Sequence, residues 1–391
     1  MASKKRHELR RFFWAFLLLL LAATGYLYVD SYSPTGHNPS GVAFDRAQQS
    51  PQYGEGRFVN RLPTNQPQLG PIMKAYWNNQ AVTEPAGELP VLFRSKRDFP
   101  VQAPELRVTW LGHSTLLIEI DGHRLLTDPV WGERTSPFTH LGPERFHPPP
   151  LPLRELPQLD GVLISHDHYD HLDYPTIQVL QDTGVHFYVP IGIGSHLEYW
   201  GVPKDRITEL DWWQSIQLGD LELVSTPARH FSGRAFKRDQ TLWTSWAILG
   251  PRHRVYFSGD TSMQPEFREI GERLGPFDIT MLEAGAYNPL WADVHLGPEQ
   301  AVHAHQLLRG KRMLPVHWGT FNLALHAWTE PPERIRVAAK KAGVDVVIPR
   351  PGESFTLESA TPEIWWPKVP WESVAETPVF SSHLPPGLRG P

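Results

Sequence analysis

One stretch decides how this chain folds: Leu163-Ile-Ser-His-Asp-His-Tyr-Asp-His-Leu-Asp173. It begins within an apolar run, residues 161–164, that is typical of a short buried strand. At its other end Asp173 is suited to cap a helix, with Pro175 in the first turn and Gly184 as the stop signal. The polar middle of the stretch is therefore expected to form a loop after the strand, and the helix that follows is expected to fix the position of that loop.

The polar middle contains four residues of metal-binding type: His166, His168, Asp170 and His171. At the period of two of a strand, the first two point the same way, and the other two then face a second position. Imidazole and carboxylate suit zinc or a similar divalent ion. Surface histidines in a polar turn are the alternative, but this density directly after a buried strand favours a metal site. Four such ligands are too many for one closed site, which indicates two metal ions.

Three further residues of this type, His230, Asp260 and His317, each lie just past a predicted strand. The strands in question are expected at 221–225, 254–258 and 313–316. Five histidines and two aspartates thus share one structural position, the end of a strand. Two metal ions can share such a set as three ligands each and one bridging carboxylate.

Composition and charge narrow the class of protein. The chain has 391 residues, 40% of them hydrophobic, enough for one large domain or two small ones. The absence of cysteine excludes disulfides, cysteine-type zinc sites, a lipoprotein anchor and a cysteine nucleophile. The net charge is −5, and because residues 1–11 carry +4, the remainder carries −9. An acidic body is a poor match for nucleic acid, so we expect no nucleic-acid partner.

Residues 12–29 form an uncharged run of 18 residues, close to the ~20 that span a bilayer. The basic residues before it predict a cytoplasmic N-terminus and a translocated body, which is periplasmic if the source is a Gram-negative bacterium. A cleaved signal peptide is the alternative, although its apolar core would be ~7–15 residues long and the cleavage site here is weak. A buried helix of a soluble domain is disfavoured by the flanking charges. We expect an uncleaved, single-pass anchor.

The chain divides into four predicted parts: a membrane anchor at 1–30, a tether and surface arm at 31–100, a catalytic domain at 101–357, and a Pro- and Trp-containing tail at 358–391. In the catalytic domain the strands come first as hairpins and later alternate with helices. This order predicts an α/β fold, an αββα sandwich of two mixed β-sheets flanked by helices. Helices are expected at 298–309 and 333–342, and a strand at 345–348.

The seven ligand-type residues and their surroundings resemble the metallo-β-lactamase-fold hydrolases, and among them the N-acyl-phosphatidylethanolamine-hydrolysing phospholipase D family. The ligand pattern alone specifies only the superfamily. The branch is specified by contexts within about residues 58–354: Thr109-Trp-Leu-Gly-His-Ser114, Glu209-Leu-Asp-Trp-Trp213, Gly285-Ala-Tyr287 and His317-Trp-Gly-Thr-Phe321.

The resemblance implies two Zn²⁺ ions per chain, with Asp260 as the bridge between them. The ligands of the first ion are His166, His168 and His230. The ligands of the second are Asp170, His171 and His317. The implied catalytic residues are Asp170, Asp260 and His295.

The resemblance also assigns residues around the ligands. Tyr169 and His295 are expected to contact the substrate, with simple packing as the alternative for Tyr169 and an ordinary loop position before the helix as the alternative for His295. His113 and Asp128 are expected to orient ligand imidazoles, with ordinary turn and strand-end chemistry as the alternative for both.

The implied reaction is hydrolysis of N-acyl phosphatidylethanolamine, or a related glycerophospholipid, to phosphatidic acid and N-acylethanolamine by a hydroxide that bridges the metals. A lactonase or amide hydrolase is the alternative, because the same ligands serve attack on a carbonyl. A non-enzymatic metal-binding protein is disfavoured, since structural zinc sites are closed. A nuclease is opposed by the acidic body. We expect a phospholipid substrate and membrane contact through the N-terminal helix; a homodimer is compatible with the sequence, which does not fix the oligomeric state.

Overall fold

The computed structural model of the chain describes residues 2–65 and 68–388. The first residue of the predicted anchor and the last three of the predicted tail lie outside the described residues. The helices are α1 (Ala2–Thr35), α2 (Val42–Gln48), α3 (Leu69–Asn78), α4 (Tyr174–Leu180), α5 (Gly194–Tyr199), α6 (Glu266–Arg273), α7 (Pro298–Leu307) and α8 (Glu330–Ala342).

The strands follow the same chain order. They are β1 (Tyr53–Gly54), β2 (Arg57–Phe58), β3 (Leu106–Trp110), β4 (Leu116–Ile120), β5 (His123–Thr127), β6 (Gly161–Leu163), β7 (Phe187–Pro190), β8 (Ile207–Leu210), β9 (Ser215–Leu218), β10 (Leu221–Thr226), β11 (Ser245–Leu249), β12 (Arg254–Phe257), β13 (Phe277–Glu283), β14 (Gly310–Val316), β15 (Asp345–Val346) and β16 (Ser354–Phe355).

Two seven-stranded sheets of similar design form the centre of the molecule. The first has the order β16-β3-β4-β5-β6-β7-β8 and the second β15-β14-β13-β12-β11-β10-β9. In each sheet antiparallel pairs fill one half and parallel pairs the other. Both sheets are therefore mixed, as the sequence predicts.

The alternation of side chains along the strands explains how the layers stack. In β4, Leu116 and Ile118 join a core cluster that contains residues of both sheets, whereas Leu117 joins a second cluster with Ile177 of α4 and Leu197 of α5. Each of these leucines is fully buried, and such burial stabilises the fold by about 1.5–3 kcal/mol per side chain. Because α6 and α7 contribute apolar residues to the inter-sheet cluster from the other side, the predicted αββα sandwich is confirmed.

Local signals explain some element ends and fail at others. Asp173 caps α4 by accepting a hydrogen bond from the Thr176 amide, and Gly184 ends the short helical extension with a φ of 79°. Helix α8 begins at Glu330 rather than at 333, since two prolines occupy its first turn. The strand expected at 345–348 is shorter, Asp345–Val346. Strands β7 to β9 and helices α5 and α6 are not predicted from the sequence.

Helix α1 continues without a break through the end of the predicted anchor to Thr35. Within it, His7–Thr35 is long and apolar enough to cross a membrane, and an 18-residue apolar window of this segment has no residue buried in the rest of the molecule. This is a finding about length and composition, and a signal sequence near an N-terminus meets the same criterion. The segment 31–100 then contains α2, the β1–β2 hairpin and α3.

The C-terminal segment packs on the catalytic domain through its tryptophans. Trp365 stacks on Trp318 with ring centroids 5.4 Å apart, and Trp318 stacks in turn on the buried Trp110. Trp366 is also buried, and its indole donates to Glu333 Oε1 at 2.9 Å. These tryptophans are therefore part of the folded domain.

Candidate metal centre

The seven ligand-type residues meet at one edge of the sandwich. The loop between β6 and α4 supplies four of them from the first sheet, and the segments after β10, β12 and β14 supply the other three from the second. Strands β12, β13 and β14 run parallel, so their carboxyl ends lie at the same edge. The topology therefore brings together residues that are up to 151 positions apart, from His166 to His317.

The first cluster consists of three imidazoles whose nitrogens converge. His166 Nε2 lies 2.8 Å from His168 Nδ1, which lies 3.2 Å from His230 Nε2. Asp260 Oδ2 is 3.8 Å from His166 Nε2 and 3.7 Å from His230 Nε2. With Asp260 included, these atoms all lie within 4.8 Å of one another, close enough to hold one ion.

The second cluster shares Asp260 with the first. Asp170 Oδ2 lies 3.3 Å from His171 Nε2 and 3.2 Å from His317 Nε2. Asp260 places Oδ1 3.1 Å from His171 Nε2 and Oδ2 3.0 Å from His317 Nε2. Asp260 therefore stands between the clusters, in the position of a bridging carboxylate.

Two buried atoms show that the residues fit a metal ion. His171 Nε2 and Asp260 Oδ1 face each other at 3.1 Å, yet neither makes a hydrogen bond within the described part of the chain. Unpartnered buried polar atoms are rare because burial without a partner costs free energy. A divalent cation that took nitrogen and oxygen ligands would satisfy both atoms.

The negative charges of the second cluster also favour a bound cation. Burial opposes ionisation of Asp260, but His171 and His317 hold its pKa well below the usual range. Burial alone would lower the pKa of His317, but Asp260 and the hydrogen bond to Asp170 raise it to about 10. Although burial opposes ionisation of Asp170 as well, His171 and the hydrogen bond to His113 hold its pKa well below the usual range. Both carboxylates therefore stay ionised and require positive charge between them, whether as protons on the imidazoles or as metal ions.

The residues around the ligands fix their orientation. His171 Nδ1 lies 2.7 Å from Asp128 Oδ2, and the same carboxylate accepts hydrogen bonds from the amide and hydroxyl of Ser165. His113 Nε2 lies 2.9 Å from Asp170 Oδ2. Asp128 thus contacts a ligand imidazole, as expected, whereas His113 contacts a carboxylate and belongs with Asp170, His171 and His317 to one group of atoms close enough to hold an ion.

Backbone geometry brings the loops close enough for the clusters to form. His317 has a φ of 65°, in the left-handed region that β-strand continuation does not allow. Its carbonyl oxygen lies against Gly285, where an added Cβ would stand 2.0 Å from that oxygen. Gly285 is therefore required for the loop after β13 to pack beside His317.

Glu283 is a site residue that the sequence does not single out. It is the last residue of β13, fully buried, and its Oε2 lies 2.7 Å from His295 Nδ1. Burial and the neighbouring Asp260 raise the pKa of Glu283 well above its usual range, while burial lowers that of His295 to about 4. The Glu283 carboxyl group therefore holds the His295 ring by its Nδ1. The position of Glu283 at the end of β13, between β12 and β14, is the sequence signal that could have identified it as a site residue.

The clusters lie at the base of a cavity of about 500 Å³. Residues of both clusters and His295 line its base, and the walls are mostly apolar: Phe58, Leu62, Ile72, Phe231, Trp243, Trp291 and Leu323. Arg57, Arg238 and Asp239 are the charged residues of the wall, and Arg57 pairs with Asp239 at 3.7 Å. Residues 57–60, 62–64 and Ile72 thus form part of the site, and Asn60 holds the first of these segments there because it bonds both the amide and the carbonyl of His230.

Tyr169 has a different position from the other predicted site residues. Its hydroxyl donates to the Arg234 carbonyl at 2.6 Å, and the Arg234 guanidinium lies 4.0 Å over its ring. It does not belong to the cavity wall. The structure thus brings His295 to the cavity and leaves Tyr169 beside it, where substrate contact stays a prediction of the resemblance.

Comparisons with known proteins agree with this geometry. Residues 123–318 match the β-lactamase superfamily domain. An uncharacterized protein of Mycobacterium tuberculosis is 49% identical over 318 residues, 78% of this chain and 84% of that protein. The N-acyl-phosphatidylethanolamine-hydrolyzing phospholipase D 1 of Caenorhabditis elegans is 36% identical over 245 residues, 59% of this chain and 69% of that protein. The solved structure of the metallo hydrolase Igni18 of Ignicoccus hospitalis has a TM-score of 0.50 and 25% identity, covering 64% of this chain and 97% of that one.

Proposed function

Because the chain belongs to the metallo-β-lactamase superfamily and is a metal-dependent hydrolase by fold and relatives, we propose that it is a dinuclear-zinc phosphodiesterase of the phospholipase D type. The substrate is N-acyl phosphatidylethanolamine or a related glycerophospholipid. The products are phosphatidic acid and N-acylethanolamine.

The observation that carries the proposal is the position of Asp260. Its carboxylate lies within 3.8 Å of imidazoles from both clusters. In the proposal His166, His168 and His230 hold one Zn²⁺, Asp170, His171 and His317 hold the other, and Asp260 binds both. When bound, two such ions would lower the pKa of a water shared between them and neutralise charge on phosphate oxygens.

The cavity supports a phospholipid as the substrate. Its apolar walls fit acyl chains, and Arg238 offers a guanidinium group to a phosphodiester, with a second at Arg57, which lies 3.7 Å from Asp239. The name of the C. elegans relative points to the same class of substrate. A carbonyl-directed hydrolase would need no cationic wall, which is why we favour the phosphodiester over a lactone or an amide.

The residues of the chain have separate tasks in this reaction. Glu283 holds His295 by its Nδ1, which leaves Nε2 as the ring atom available to hydrogen-bond a phosphate or leaving-group oxygen. Asp128 and His113 keep the ligands His171 and Asp170 in place. The apolar wall excludes water from the substrate chains.

We propose in addition that α1 anchors the enzyme in a membrane, with its N-terminus in the cytoplasm and the catalytic domain on the outer side. The support is the length and apolar composition of His7–Thr35 and the basic residues that precede it. An anchor of this kind holds the cavity close to its lipid substrate.

The test compares two classes of substrate on one preparation. Full-length protein in detergent, loaded with zinc, is incubated with a panel of glycerophospholipids and with a panel of lactones and amides, and products are identified by mass spectrometry. Paired N-acylethanolamine and phosphatidic acid, abolished by a chelator and restored by zinc, are expected. Opened lactones or cleaved amides without lipid turnover would refute the proposal in favour of the carbonyl-directed alternative.

A further inference from the structure

Helix α3 exposes an apolar stripe. Leu69, Met73, Tyr76 and Trp77 follow the spacing of one helix face, and all four are exposed, Trp77 to 89%. Four large apolar side chains on one face of a ten-residue helix are unusual at a surface that meets only water. Trp and Tyr on such a stripe are typical of a helix at a membrane interface.

The stripe lies at the cavity rather than at a remote surface. Ile72, one position from Met73 on the same helix, lines the cavity wall. The loop between β10 and β11 contributes Phe231 and Arg238 to the same cavity, and it presents Phe236 fully exposed to solvent. We call Leu69, Met73, Tyr76, Trp77 and Phe236 the apolar rim.

The loop that carries Phe236 is also bonded to the end of α1. Arg234 donates from Nε and Nη2 to the Pro34 carbonyl, at 3.0 and 2.7 Å. The Trp200 indole donates to the Ser33 carbonyl at 2.7 Å. Since Arg234 is itself buried and bonds the metal loop at the Asp167 carbonyl, α1 leaves the domain at a fixed position beside the rim.

The surroundings of the rim are basic. Lys74 on α3 and Lys237 in the loop are exposed, and Arg57 and Arg238 line the cavity. The acidic neighbour Asp239 pairs with Arg57 at 3.7 Å and offsets its charge. The other three cations are Lys74, Lys237 and Arg238. This charge complements anionic lipid head groups and is opposite in sign to the net charge of the body.

We propose that the apolar rim is a membrane-contact surface. It contacts the lipid bilayer that α1 spans, so that the cavity opens onto the lipid surface. The apolar side chains enter the interface, and the basic residues meet anionic head groups. The proposal rests on the anchor proposed above for α1, but not on the identity of the reaction.

The absence of cysteine makes a direct test available. Full-length protein carrying Met73→Cys or Phe236→Cys is labelled with an environment-sensitive fluorophore and reconstituted in vesicles of phosphatidylcholine and phosphatidylglycerol. Val337→Cys on α8, exposed but remote from the cavity, is the matched control. Lipids that carry a quencher on the acyl chain then report contact with the bilayer.

Labels at 73 and 236 are expected to shift to the blue and to be quenched at least about threefold more strongly than the label at 337. Equal quenching at all three positions overturns the proposal. Labels at 73 and 236 that are shielded without lipid quenching, and that transfer energy between copies in detergent, would identify a second copy of the chain as the occupant. If the protein does not float with the vesicles, both the proposed membrane contact of the apolar rim and the proposed anchor are overturned. Quenched labels in a protein inactive on the lipid panel would leave the rim standing and refute only the proposed reaction.

Discussion

Replacement of Asp128 by Asn should weaken the binding of one metal ion and leave the binding of the other unchanged. Asp128 is fully buried and does not belong to either ligand cluster. Its Oδ2 lies 2.7 Å from His171 Nδ1, and its Oδ1 accepts from the Ser165 amide at 2.7 Å. An Asn amide has one acceptor oxygen for these two partners, so His171 loses either its hydrogen bond or its fixed orientation.

The size of the effect follows from that lost bond. A hydrogen bond to a charged group contributes about 1.5–3 kcal/mol, and each 1.4 kcal/mol changes a binding constant about tenfold. Loss of an outer partner of a metal-binding imidazole costs about 10- to 100-fold in affinity in known sites. We therefore expect Asp128→Asn to bind the ion at His171 about 10- to 100-fold more weakly, while the ion at His166 keeps its affinity.

The assay is a zinc titration of chelator-stripped protein against a chromophoric competitor. Asp121→Asn is the matched control, because Asp121 holds His253 Nδ1 at 2.7 Å in the same way but in a turn remote from the centre. Native protein and Asp121→Asn should take up two ions with the same affinities. Two ions bound by Asp128→Asn as tightly as by native protein would contradict the reasoning, and equal weakening in Asp121→Asn would point to general destabilisation instead.

Three further outcomes are expected. Asp260→Ala should lose both ions, since its carboxylate faces both clusters; one ion retained at native affinity in elemental analysis would refute the bridge. His295→Ala should keep both ions and lower kcat about 10- to 150-fold, the equivalent of one hydrogen bond to a charged group; unchanged kcat, with exposed His140→Ala as the control, would remove His295 from the reaction. In a Gram-negative host, protease added to spheroplasts should digest the catalytic domain and spare cytoplasmic markers; a protected domain would reverse the orientation, and the mass of the mature N-terminus would distinguish an anchor from a cleaved signal.

The fold could be predicted from local patterns because each of its main signals is short in range. The strand and ligand run around His166 and the cap at Asp173 need only their own neighbours in sequence. The missed strands β7 to β9 have four residues each, too few for alternation to stand out from loop sequence. Helix α6 is amphipathic but carries five charged residues among eight, which hides its apolar face.

The parts of the site that could not be predicted depend on contacts between distant segments. Asn60 meets His230 across 170 positions, and Glu283 meets His295 only because β13 ends beside the loop that carries it. The place of Tyr169 is decided by the ring contact with Arg234 on another loop. A single sequence contains no signal for these pairings, whereas the position of ligands after strands is a property that local sequence does express.

The most direct test of the proposed chemistry is the path of oxygen from water into the products. Zinc-loaded, full-length protein is incubated with N-acyl phosphatidylethanolamine in ¹⁸O-labelled water, and both products are analysed by mass spectrometry. Attack of water on phosphorus, with release of the head-group alcohol, predicts one ¹⁸O atom in the phosphate of phosphatidic acid and none in N-acylethanolamine. Label in N-acylethanolamine would mean that carbon was attacked, and diacylglycerol with a phosphorylated head group would mean that the other P–O bond was cut. Either result would contradict the assignment of this centre as a phospholipase D-type phosphodiesterase.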